Sequence, residues 1–149
     1  MAYLKIRGQA AMRAKMRNAS RLGKLPQIDV AMRNALEPMR EMTQNNALAL
    51  RDIGTPIGGH LDQGVVSAKV KSKSAGQREW WVSFKNRARK IAHLVEFGTS
   101  PHDQPRRGIR HPGARPKPFF TTAFESTKGD TLTRLGRGLW TLIVKNLVR

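Results

Sequence analysis

The 149-residue chain carries 28 basic and 10 acidic residues, a formal net charge of +18, and no cysteine. That excludes disulfide frameworks, thiol nucleophiles and cysteine zinc sites, and no uninterrupted apolar run approaches the roughly 20 residues of a membrane-spanning helix. The length suits a single domain, residues 1–149, able to bury a core without staples, and the charge points to an anionic partner, either nucleic acid or an acidic protein surface.

In chain order, "YLKIRG" alternates Leu4 and Ile6 against Lys5 and Arg7 and stops at Gly8, which predicts a short strand. From Gln9 to about Leu22 the pattern is helical, with Arg13, Arg17 and Arg21 on one stripe beside Met12, Met16 and Ala19. The basic segment 1–25 holds Lys5, Arg7, Arg13, Lys15, Arg17, Arg21 and Lys24 and no acid. It lacks the apolar block of a secretory signal. Arg13, Arg17, Arg21 and Lys24 are candidates for contact with a DNA channel or an acidic partner; a solvated helix face is the plainer alternative.

Gly23 and Pro26 break the chain, and a second helix is predicted from about Gln27 to Asp52. Ile28, Met32, Ala35, Leu36, Met39, Met42, Leu50 and Ile53 keep three-four spacing, which marks a core-facing stripe. Pro38 lies inside it. An interior proline costs about 3 kcal/mol in a regular helix, so a kink or two meeting helices is expected there. "GTPIGGHLDQG" (54–64) reads as a loop.

Three strands are predicted next. "VVSAKVK" places Val66, Ala68 and Val70 on one face; "EWWVSFKN" places Trp80, Val82 and Phe84 together, with Trp81 opposite. "KIAHLVEF" alternates Ile91, His93, Val95 and Phe97 with Ala92, Leu94 and Glu96. The connections fit hairpins and a small antiparallel sheet. Residues 98–118, with five prolines, three glycines and five basic residues, read as a long irregular loop of functional character. Beyond it, "FFTTAFESTK" and "DTLTRLGRGLWTLIVKNLVR" read as helix, striped by Leu132, Leu135, Leu139, Leu142, Ile143 and Leu147. Gly129 is expected to bend or divide it.

No catalytic constellation emerges. His60, His93, His102 and His111 match no zinc spacing. His102 and Asp103 with His111 would make only a weak metal site, and only if the loop folded back. His93, on an apolar strand face, reads as packed or interfacial. "GTPIGG" lacks the lysine and serine that grip a phosphate. No catalytic residue, cofactor site or metal ligand is assigned. Trp80 and Trp81, near Lys85, Arg87 and Arg89, suit either base stacking or one ring in the core and one at an interface.

"HLVEFGTSPH" followed by "HPGARPKPFFTTAFESTK" resembles the signature of a family of small neck proteins of long-tailed bacteriophages, the tail-completion or head–tail joining proteins. The matching residues are Val95, Glu96, Phe97, Gly98 and Thr99, then Ala114, Arg115, Pro116, Pro118, Phe119, Phe120, Ala123 and Phe124. The upstream order is similar as well, although Ile57–Gly58 stands where members more often show an acid and a threonine. The loop at 98–118 is also longer than in compact members.

The resemblance implies a non-enzymatic virion protein, assembled in the host cytoplasm into a homo-oligomeric ring of the neck, with sixfold symmetry the first expectation. Its partners would be neighbouring head-closure or connector proteins, tail-terminator or tail-tube proteins, and duplex DNA passing without sequence readout. The expected fold is α+β, a small antiparallel sheet packed by N-terminal helices and a long C-terminal helix. Glu96, Phe97, Gly98, Thr99, Arg106, Arg107, Arg110, Arg115 and Pro116 are the expected subunit or partner interface. Phe97 is expected to anchor in the core and Gly98 to turn the chain. Glu96 either accepts hydrogen bonds from an arginine or is simply exposed. Phe119, Phe120 and Phe124 are expected to pack the last helix on the sheet. A tail-terminator role, a sequence-independent nucleic-acid-binding protein and a metal-dependent hydrolase remain as alternatives.

Overall fold

The computed structural model describes residues 13, 14, 17, 25–52, 61–71, 77–105 and 108–147. The strand expected at 3–8, Arg21, Lys24 and Pro56 to His60 lie outside the described residues. Helical backbone is present at Arg13, Ala14 and Arg17, and both arginines are exposed.

Helix α1 (Pro26–Ala35) opens on a proline at its first position, where the missing N–H is one the helix would leave unpaired anyway. Its successor, α2 (Glu37–Asp52), starts after a break at Leu36. The Leu36 N–H is shared between the carbonyls of Met32 and Arg33, each at 3.2 Å. Pro38 therefore sits in the first turn of α2, and the expected discontinuity is two helices meeting. On the core-facing stripe Met39 is buried, whereas Met42 is exposed. Of the loop expected at 54–64, Leu61–Gly64 is instead a helical turn, α3, with Leu61 fully buried.

Strands β1 (Val65–Val70) and β2 (Glu79–Phe84) pair antiparallel, with Val65 opposite Phe84, Ser67 opposite Val82 and Lys69 opposite Trp80. That register sets the core face. It carries Val65, Val82 and Phe84, so Val66, Ala68 and Val70 lie on the other side with Trp81, which is exposed.

The third expected strand is instead a helix, α4 (Asn86–Phe97). Its buried residues are Ala88, Ala92, Val95 and Glu96, the i, i+4, i+7, i+8 spacing of a helix face. Alternation and helical spacing both fit this stretch. Ala, Arg, Lys, Leu and Glu favour the helix, and two small alanines supply the contact surface. The change of period moves His93 onto an exposed face and leaves Phe97 74% exposed, so Phe97 does not anchor the core.

Residues 98–118 are also more regular than expected. Strands β3 (His102–Gln104) and β4 (Ile109–His111) form a second antiparallel hairpin, and Thr99 bridges Ala114 at its base. Last comes α5 (Phe119–Leu147), 29 residues without a break. Gly129 does not divide it. Each interior glycine costs about 1 kcal/mol, but α1 and α2 both pack along α5 and hold it. The fold is thus α+β: two two-stranded antiparallel hairpins, with helices on the first of them and a long C-terminal helix.

The core has two parts. Ala47, Leu61, Ala88, Ala92, Val95 and Phe119 form one, and Met39, Val65 and Val82 the other. Phe84 and Phe120 touch both. Phe84 meets Phe119 edge-on at 5.7 Å and lies 5.9 Å from Phe120, within the range of favourable aromatic pairs. Phe119 and Phe120 therefore join α5 to the sheet, whereas Phe124 is exposed.

Candidate functional site

The residues carrying the family resemblance meet at one corner, where α4 ends and α5 begins. Helix ends leave backbone groups without partners, and here each end satisfies the other. Glu96 is 7% exposed. Its Oε2 accepts the Phe120 N–H at 2.9 Å and its Oε1 accepts the Thr121 N–H at 2.9 Å. A carboxylate at the positive end of a helix dipole is favourable. In return, the Val95 carbonyl near the end of α4 accepts the Lys117 N–H at 2.9 Å. Asn46 on α2 adds a third tie, donating from Nδ2 to the Phe119 carbonyl at 3.0 Å. Neither expected role of Glu96 holds: it is not exposed, and its partners are backbone amides of its own chain.

Gly98 sits between these contacts at φ 73° and ψ −177°. That combination is open essentially to glycine alone, so the expected sharp turn is present. A Cβ there would lie 2.5 Å from the Ala114 carbonyl oxygen and 2.8 Å from the Pro116 nitrogen. The close approach lets Thr99 and Ala114 exchange N–H···O bonds of 2.9 and 3.0 Å. Gly113, at φ 87°, makes the matching approach to the Thr99 carbonyl.

From this corner the β3–β4 hairpin projects. Arg110 on it, and Arg115 and Pro116 at its base, are exposed, while Thr99 is half-buried. Arg106 and Arg107 lie outside the described residues. The histidines face one another across the strands, with His102 and His111 rings stacked at 5.0 Å. His111 Nδ1 accepts the Gly113 N–H at 3.0 Å, and His102 Nδ1 lies 3.0 Å from the Ser100 carbonyl. Asp103 points to the opposite strand face from His102. Among the described residues no group of three or more His, Asp or Glu side chains is placed to hold a metal ion.

Two further features depart from the expectations: one contact that was not anticipated, and an apolar stripe on the last helix of which Leu132 and Ile143 are exposed. Asp29 on α1 ties that helix to the β1–β2 hairpin. Its carboxylate accepts from Lys69 Nζ at 2.8 Å, from Trp80 Nε1 at 3.1 Å and from the Arg78 guanidinium. The Lys69 bond, the indole N–H and Arg78 together hold its carboxyl well below the usual carboxylate range, against the opposing effect of burial. The signal in sequence was weak, because an acid in a first helical turn is commonplace. The other feature is the outer side of α5, where Leu132 is 68% and Trp140 65% exposed and Ile143 and Val144 are partly so. The segment holds more apolar residues than one helix face can bury, and that excess was visible in its composition.

A basic face completes the description. Lys85, Arg87, Arg89 and Lys90 are exposed around the first turns of α4, which has no acid in its first turn.

Comparison with protein-family models, with curated proteins and with solved structures finds no match for this chain.

Proposed function

We propose that this chain is a structural, non-enzymatic component of a long-tailed bacteriophage neck, a ring-forming tail-completion or head–tail joining protein through which duplex DNA passes. The observation that carries the reading is the corner. The two phrases that resemble the neck family, 93–102 and 111–128, are the residues that lock α4, the β3–β4 hairpin and α5 to one another. The lock is built from Glu96 on the Phe120 and Thr121 amides, Val95 on the Lys117 amide and Gly98 against Ala114. A small core thereby fixes the hairpin and α5 relative to one another. Both carry large apolar side chains outward, Ile109 on the hairpin and Leu132 and Trp140 on the helix. Exposed apolar residues in such number suit a protein whose partners cover them.

A closed ring needs two different complementary patches per subunit. Repeating a charge of +18 around that ring calls for an anion to offset the repulsion. Passing DNA and acidic neck neighbours both supply one, and the exposed basic turns of α4 and Arg13 and Arg17 suit such contacts.

The test is an averaged image of necks from particles of the phage whose genome encodes the chain, with mass spectrometry of the same particles. A ring of this chain between connector and tail tube, with six copies, is expected. Absence from the particles would overturn the proposal. Tight binding of the isolated chain to duplex DNA, falling with a log–log salt slope near −0.9 per neutralised phosphate, together with that absence, would establish the nucleic-acid-binding alternative.

A further inference from the structure

Helix α5 carries two complementary surfaces on opposite sides. Leu132, Gly136, Trp140 and Ile143 recur at i, i+4, i+8 and i+11, on one face. Trp140 and Leu132 are largely exposed, and a Cβ at Gly136 would touch nothing within 4 Å. Gly138 and Leu142 each lie two residues from Trp140, about 200° around the helix, and point the other way. There α1 and α5 enclose an open groove of about 500 Å³. Val30, Ala31 and Ala35 of α1 and Arg137, Gly138 and Leu142 of α5 line it. Its floor is small because Gly138 lets the helices close up, a Cβ there falling 3.2 Å from the Ala31 methyl.

Resting on the ring reading above, we propose that neighbouring copies join along α5, with Trp140 of one copy seated in the α1–α5 groove of the next beside Arg137. Three observations select a second copy over other occupants. The stripe is apolar and uncharged, which suits an apolar floor and not a phosphate backbone. The groove is lined mostly by apolar side chains, with Arg137 and the Asp130-paired Arg134 also lining it, and the electron-rich face of an indole ring attracts an arginine cation such as that of Arg137. Knob and groove lie on opposite sides of one rigid helix, the arrangement a heterologous, repeating contact requires.

The area sets the strength. The helix from Gly129 to Leu147 offers a face roughly 28 Å long and about 10 Å wide, on the order of 300 Å². A stable complex uses about 800 Å² per partner. The contact is therefore weak in dilute solution and is completed by other neck contacts on assembly. Because each copy bears +18, salt strengthens it by screening the repulsion. Contact with DNA or an acidic protein would respond in the opposite sense.

The chain has no cysteine, so engineered thiols report without background. A full-length Gly136→Cys chain (stripe) is mixed with a full-length Asn34→Cys chain (groove lining) and oxidised. The mixed disulfide dimer is expected in several-fold higher yield at about 1 M than at about 0.05 M NaCl, where the screening length is roughly 3 Å against more than 10 Å. Adding Trp140→Ala to the Gly136→Cys chain should reduce it several-fold while the far-ultraviolet circular dichroism stays unchanged. Three results would overturn the proposal: no mixed dimer at either salt, a yield indifferent to Trp140→Ala, or an excess of Gly136→Cys self-dimer, which would mean stripe-on-stripe packing. The same cysteines carried into phage particles separate the two readings. A chain present in particles but never cross-linked sinks the interface and leaves the neck role standing. A chain absent from particles sinks the neck role whatever the solution result.

Discussion

Replacing Glu96 tests the corner most directly. Its carboxylate is buried and accepts two amides at the start of α5. Glu96→Ala leaves the Phe120 and Thr121 N–H groups without their partner. An unsatisfied buried donor costs about 1–3 kcal/mol. Water reaches part of the site once the side chain is gone, so the loss is about 3 kcal/mol and not the full sum. Glu96→Gln keeps one acceptor but turns an NH₂ toward the other amide and removes the charge from the helix N-terminus; it should cost about 2 kcal/mol. For a chain of this size 1 kcal/mol moves the midpoint by about 2–4 °C, so Glu96→Ala should melt about 6–12 °C below wild type. Thermal melts followed by circular dichroism measure it, with hydrogen exchange at the Phe120 and Thr121 amides locating the loss. A Glu96→Ala protein with an unchanged midpoint and unchanged exchange at those amides would refute the capping role. Glu125→Ala, at an exposed acid in a surface pair with Lys128, is the control and should shift stability by less than about 0.5 kcal/mol.

Three other variants probe the rest of the fold. Gly98→Ala combines a disallowed backbone conformation, costing about 1–3 kcal/mol, with a methyl driven against the Ala114 carbonyl; denaturant unfolding should show a loss of at least about 2 kcal/mol. Gly129→Ala fills open space on a continuous helix and should stabilise by about 0.5–1 kcal/mol; a destabilised variant would mean that α5 is interrupted there. Asp29→Asn should lower the midpoint at pH 7. Because the folded carboxyl titrates below its unfolded value near 3.9, the stability it contributes is full above about pH 4 and is lost as pH falls through the depressed value. The gap between wild type and Asp29→Asn should therefore narrow in melts taken from pH 5 down to pH 2.

Much of this architecture is legible in the sequence, and the failures have identifiable physical causes. Pro38 announced the α1–α2 break, and alternation in "EWWVSF" placed Val82 and Phe84 on the core face. Alternation in "VVSAKV" grouped Val66, Ala68 and Val70 on one face as the register has them, but did not reveal that the core lies on the other. The core face of β1 includes Ser67 and Lys69, and Lys69 is usable there because Asp29 waits on α1. No local pattern reveals a partner 40 residues away. The stretch 86–97 satisfies two periods at once. Counting Ala88 and Ala92 as contact residues selects the helix, and counting only large apolar residues selects the strand. In α5 the glycines suggested weakness, but tertiary packing by α1 and α2 outweighed propensity. Glu96 has other partners than expected: the helix start at Phe119 was legible, but its meeting with Glu96, 24 residues before Phe120, exists only once the chain folds back.

The helical α4 also changes what the resemblance-carrying phrase can do. With both carboxylate oxygens on amides of its own chain and almost no exposure, Glu96 is beyond the reach of an arginine on a neighbouring copy. Val95 and Gly98 are likewise committed to the corner. Phe97 is not: it stands 74% exposed between Glu96 and Gly98, which are fixed. A large apolar ring held outward at the end of a rigid helix adds nothing to the core. Phe97→Ser should therefore leave the melting midpoint within the shift expected of a surface substitution, about 0.5 kcal/mol, in contrast to Glu96→Ala. Its effect should appear in assembly. On the neck role proposed above, particles made with Phe97→Ser as the only source of the chain should lack it, or fail to join heads to tails, when imaged and assayed by mass spectrometry. If Phe97→Ser unfolds the protein, the ring contacts the core after all. If it folds, enters particles and joins heads to tails normally, the exposed end of α4 is not a partner surface, and the contacts of the chain lie on α5 and the β3–β4 hairpin alone.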